Sequence, residues 1–248
     1  MANPTLREDF IRQDSFNSLG ETSTMTVGGT ILKTCFLGLL MFATFSYTWY
    51  LQFAGFADKA ALLYNVGIWG GLGMCLAICF MPKNKFLILT TPLYAMLEGL
   101  ALGYISALAN KFYPGVVFQA TIATFIALFS MLTLYSTKVI RCTEKFRAVM
   151  TISIFSIFVL YMLQMILSLF HIAIPFLYSN GPVGIGVSLV IVGVASFSLI
   201  MDFANIEEFS SSVDKNMEWY FGFSLMVTLV WLYVEMLQLF MKIQSNDN

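Results

Sequence analysis

Charge is what this chain has least of. Asp, Glu, Lys and Arg make up 11% of its 248 residues, where a soluble domain carries roughly 25%. That scarcity excludes an ordinary water-soluble domain. The net charge of −1 says nothing about nucleic acid, but no basic cluster is present to face a groove, so no nucleic-acid partner is expected. Histidine is scarcer still, with His171 alone. A zinc hydrolase needs several His or carboxylate ligands around an open metal position, and a serine protease needs a base beside its nucleophile. Neither set is present, so the chain is not expected to be an enzyme and no resident cofactor is expected. The last apolar stretch has its only lysine, Lys242, at its edge, which excludes a retinal Schiff base in mid-helix. The four cysteines (Cys35, Cys75, Cys79, Cys142) form no CxxC pair, so no disulfide framework is expected. Cys75 and Cys79 share a helix face, open to a soft metal or to plain packing as small hydrophobes. The first 30 residues lack the basic start and short apolar core of a cleaved signal.

Apolar length is what the chain has instead. Hydrophobic residues make up 58% and the mean hydropathy is +0.80. Seven stretches, near 31–53, 61–81, 86–109, 115–137, 148–172, 183–202 and 220–243, are each long enough for the roughly 20 residues a spanning helix needs. The expected fold class is therefore an all-α integral membrane protein of seven transmembrane helices, with a polar tail over 1–30 and one domain over 31–243. Short loops make successive helices antiparallel neighbours in a single bundle with the bilayer as their main partner, and the chain is read as a monomer. Gly67, Gly70, Gly71 and Gly73, and later Gly184, Gly186 and Gly193, are expected at close helix approaches.

Orientation follows from the 13 basic residues. With the N-terminus inside, ten of them (Arg7, Arg12, Lys33, Lys83, Lys85, Lys138, Arg141, Lys145, Arg147, Lys215) lie on the inner side. Only Lys59, Lys111 and Lys242 lie outside. The N-terminus is expected in the cytoplasm and the C-terminus outside. Trp49, Tyr50, Trp219 and Tyr220 are expected at the headgroup level. The 203–218 connection, with Glu207, Glu208, Asp214 and Glu218, reads as a solvated extension of two helices or as a cation-attracting vestibule.

Three acids fall within the apolar stretches: Glu98, Asp202 and Glu235. A charged side chain at the bilayer centre costs about 2.5–3.5 kcal/mol on insertion scales, so such an acid marks a functional site by default. No Lys or Arg lies deep in a stretch to neutralise them. Two carboxyls sharing one cavity would titrate as a coupled unit, which suits a pH switch or a cation site. Depth works against a direct contact. At 1.5 Å per residue, Asp202 lies about 30 Å from Pro182 and Glu235 about 12 Å from Ile243, so straight helices hold the two about 15 Å or more apart.

Three stretches carry a family resemblance: EGLALGYIS around Glu98, LIMDFANIEEF around Asp202 and LYVEMLQLF around Glu235. With them the chain resembles the Bax inhibitor/YccA family of seven-helix membrane proteins. YPGVVFQATIATF resembles the bacterial YccA-like branch in particular. The resemblance implies a central final helix and a bacterial inner-membrane location. It further implies a pH-sensitive leak for calcium, gated by an acid pair that falls on Asp202 and Glu235, with calcium as transported ion. Glu98 joins them as an ion- or proton-sensing residue, and Lys83 stands where the family has a basic partner for the pair. Some members instead restrain a membrane protease or modulate stress and cell-death signalling. The alternative expectation is thus a non-conducting regulator that binds another membrane protein.

Overall fold

The computed structural model describes residues 24–80, 86–170, 174 and 179–246. Seven long helices account for nearly all of them: α1 (Val27–Phe53), α2 (Ala57–Phe80), α3 (Leu87–Phe112), α4 (Val116–Ser136), α5 (Glu144–Ser168), α6 (Pro182–Phe209) and α7 (Met217–Asn246). All seven are long and apolar enough to cross a bilayer, and no strand occurs among the described residues. The protein is a multi-pass, all-α membrane protein. Helices are the natural outcome because each satisfies its own backbone polar groups where lipid offers no partner. Buried hydroxyls follow the same logic: Thr34, Thr91, Thr124 and Ser196 each donate to the carbonyl four residues earlier. Large apolar side chains such as Leu32, Trp69, Phe80 and Phe118 are exposed, a surface that would aggregate in water and is at home in hydrocarbon.

Polar punctuation sets the ends, and several helices outrun their apolar stretches. Thr26 caps α1 by accepting from the Gly29 amide at 3.0 Å, and Thr143 caps α5 through the Phe146 amide at 3.2 Å. Pro182 opens α6, where its missing N–H is not needed. α6 runs on through the exposed Glu207 and Glu208 to Phe209, and α7 already starts at Met217. The 203–218 segment is thus mostly helical extension around a short turn.

The residues fall into two compact units. The first joins α1, α2 and α3 with Asn205–Val227; the second joins Tyr113–Ala204 with Thr228–Asn248. In the first, Leu37, Ala95 and Met226 form a buried cluster with Met41 and Trp219 against it. Tyr94 meets Phe223 edge-on at 4.8 Å between ring centroids. α3 lies against α1 through Gly99 and Gly103, where a Cβ would strike the Met41 and Phe45 carbonyls. Gly67 plays the same part between α2 and α3, against Leu97 and Ala101, while Gly70 meets the Leu97 side chain and Gly71 the Glu98 carboxylate. Gly73, Gly186 and Gly193 face open space, which corrects the expectation that all the glycines of α2 and α6 serve close packing. In the second unit, Phe146 of α5 and Tyr135 of α4 pack on Phe197 and Phe203 of α6. α7 is the most enclosed of the seven helices. Tyr220, expected at the headgroup level, is 2% exposed and belongs to the core.

Candidate functional site

The site is built on α7. Glu235 is 2% exposed, and its Oε1 accepts two hydrogen bonds. The Tyr161 hydroxyl of α5 donates at 2.6 Å and the Trp231 indole N–H at 3.0 Å. Trp231 reaches the carboxyl because it sits one helical turn earlier on the same face. An indole can only donate, so Oε1 is necessarily an acceptor here.

Lys242 lies two turns beyond Glu235 on the same face and is 8% exposed. Its ammonium donates to the Ser188 hydroxyl at 2.7 Å and to the Gly184 carbonyl at 3.4 Å, both on α6. Its charge and that of Glu235 act on each other. This corrects the expectation that no cation lies within an apolar stretch to face the acids. Lys242 reads as an edge residue in sequence because it stands at the end of the last apolar stretch. In the structure α7 continues to Asn246 and packs that lysine inward. Near the same end, Asn180 donates to Ser245 at 2.8 Å and Gln164 of α5 accepts from the Ile174 amide at 2.8 Å.

Asp202 is 4% exposed on α6. The contacts of Lys242 with Ser188 and of Asn180 with Ser245 set α6 and α7 antiparallel and fix their register. From Ser188 to Asp202 is 14 residues along α6; from Lys242 back to Glu235 is 7 along α7. The two acids therefore differ in level by about 10 Å. Bringing their carboxyls together would take a slide or tilt of one helix against the other.

Glu98 belongs to the first unit. The Tyr94 side chain, one turn before it on α3, hydrogen-bonds to it. An added Cβ on Gly71 would lie 3.1 Å from its Oε2, so the glycine leaves room for the carboxylate. Cys75 and Cys79 are hydrogen-bonded to each other nearby, and Cys75 feels the Glu98 charge. All four cysteines are free thiols. Among the described residues no three His, Cys, Asp or Glu side chains converge as a metal cage. Lys83 and His171 lie outside the described residues.

An ion pair at the start of α7 had no counterpart in the sequence reading. Glu218, 1% exposed in the first turn of α7, bridges to Lys33 of α1 at 2.9 Å. Its other oxygen accepts from the Thr26 amide and hydroxyl, each at 3.0 Å. The Lys33 ammonium also sits 5.0 Å from the Trp219 ring centroid and donates to the Lys215 carbonyl at 3.3 Å. Just before α1, Met25 exchanges backbone hydrogen bonds with the α6–α7 turn, donating to Val213 and accepting from Ser211, both at 2.9 Å. The available signal was Lys33 itself, a cation seven residues into an apolar helix.

The model of the family described as Bax inhibitor 1 like matches residues 3–245. No curated protein and no solved structure matches the chain.

Proposed function

Since the chain belongs to the Bax inhibitor 1 like family, we propose that it is a pH-sensitive cation leak, with calcium as cargo, gated at Glu235. The carrying observation is a carboxyl 2% exposed within a spanning helix, held by two donors and facing a buried lysine. In this arrangement Tyr161 and Trp231 occupy the oxygen a passing cation would use. Conduction requires those donors to be exchanged for the ion, since hard cations take oxygen ligands. A proton on Glu235 removes the charge that draws the cation, which makes the leak respond to pH. Asp202, about 10 Å away in level, is a second acid on the same route. On this reading the protein is a passive conductor, not a catalyst. It lies in a bacterial inner membrane, its N-terminus cytoplasmic.

Purified protein in liposomes tests this. Wild type should pass calcium in a pH-dependent way, and Glu235→Gln should fold but lose that dependence, because Gln keeps the shape and cannot ionise. Absence of flux from folded wild type would reject the leak. It would favour a non-conducting regulator, which could work through the N-terminal segment fastened by Met25 to the α6–α7 turn.

A further inference from the structure

Lys242 is a charged side chain only 8% exposed on a membrane-spanning helix. An ammonium taken out of water needs compensation, and the Ser188 hydroxyl and Gly184 carbonyl that accept from it on α6 are neutral. The opposite charge it faces is Glu235, seven residues earlier. Seven residues make about two turns and 10.5 Å of rise, which returns both side chains to one face. Side chains lean toward a helix's N-terminus, so the lysine's four-carbon stem is directed from its own turn toward Glu235. We propose that Lys242 is a tethered cation, moving between its seat on Ser188 and the Glu235 carboxylate, where it competes with the permeant ion and so sets the occupancy of the site.

The competition has a clear physical form. An ammonium and a metal cation are alternative charges for one carboxylate. With the lysine near, Glu235 is compensated and a diffusing cation gains little by entering. When the lysine is drawn back to Ser188 and Gly184, the carboxylate is left for the ion. Among the described residues the groups that act on Glu235 are Tyr161 of α5 and Trp231 and Lys242 of α7, and Asp202 is buried on α6 at a level about 10 Å away. Lys242 is the cation of that set, so removing it changes the charge of the site without touching the two donors. This inference rests on the leak reading for its ion and, for the charge pair, on the seven-residue spacing together with the electrostatic interaction of the two groups, and the two parts are tested separately.

The experiment compares full-length wild type, Lys242→Met, Lys242→Arg and Glu235→Gln in liposomes and in lipid nanodiscs. In liposomes the half-saturating calcium concentration is read. Lys242→Met should lower it on the order of tenfold, the scale of removing one unit charge that acts on the carboxylate, and Lys242→Arg should move it much less. Adding Lys242→Met to Glu235→Gln should bring no further change. In nanodiscs the infrared carboxyl band of Glu235, identified by its loss in Glu235→Gln, is titrated with pH. Lys242→Met should move its midpoint by about one pH unit, and Lys242→Arg should restore most of the shift. A band unmoved by Lys242→Met overturns the charge pair whatever the flux. A moved band with no flux from any variant keeps the pair and rejects the leak. A moved band with calcium saturation unaltered rejects the competition.

Discussion

Replacing Glu218 by Gln removes one negative charge and leaves almost everything else in place. In the native protein one oxygen of Glu218 accepts from the Thr26 amide and hydroxyl, and the other meets the Lys33 ammonium. A glutamine can keep its carbonyl toward Thr26, but it must then present its NH2 to the ammonium, donor against donor. Deleting one partner of a fully buried ion pair costs about 3–5 kcal/mol, and a surface pair is worth about 0–1 kcal/mol. The Glu218 side chain is 2% exposed and that of Lys33 19%, so the pair is discounted from the buried limit to about 2–3 kcal/mol. Lys33→Met should cost a similar amount, since its stem still covers Trp219 but Glu218 loses its cation. The double mutant should recover part of the loss, with a coupling of about 1–2 kcal/mol in the cycle. The assay is unfolding of the purified protein in mixed micelles, followed by circular dichroism at fixed lipid ratio. Glu218→Gln within about 0.5 kcal/mol of wild type, the range of an ordinary surface change, would refute the reasoning.

Three further outcomes are expected. Gly103→Ala places a methyl against the Phe45 carbonyl, a backbone group that cannot swing aside, and should destabilise by about 1–3 kcal/mol in the same assay; an unchanged transition would mean α1 and α3 do not approach closely in the membrane. Tyr161→Phe removes the shorter of the two donors to Glu235, costs about 1–2 kcal/mol of stability, and should alter the pH response of calcium flux; a flux curve identical to wild type would separate the tyrosine from the gate. Reporter fusions should place the C-terminus outside and the Lys138–Arg147 stretch in the cytoplasm, as the ten-to-three division of basic residues requires.

The seven spans were legible in the sequence because hydropathy and length state the problem completely. A stretch of about 20 apolar residues in lipid has one economical backbone conformation. Glu98, Asp202 and Glu235 were legible for a related reason: an acid between long apolar runs cannot be solvated by its neighbours in sequence. Helix ends were less so, since α6 and α7 continue into polar residues that hydropathy counts as loop.

Partnership was beyond the sequence. Tyr161 lies 74 positions from Glu235 and meets it only because α5 and α7 present those faces to each other. Helices apolar all round carry no stripe to announce which face packs inward, so rotation about each axis and register along it are set by the fit of whole surfaces. The same freedom hid Gly99 and Gly103, which meet neighbouring backbone, and offered Gly186 and Gly193, which meet nothing. It also hid Lys33 and Lys242, whose charges look peripheral by position and are taken inside by packing. Hydropathy settles that a residue is in the membrane; which residue it faces there is a property of the assembled helices, because complementarity between surfaces has no one-dimensional signature.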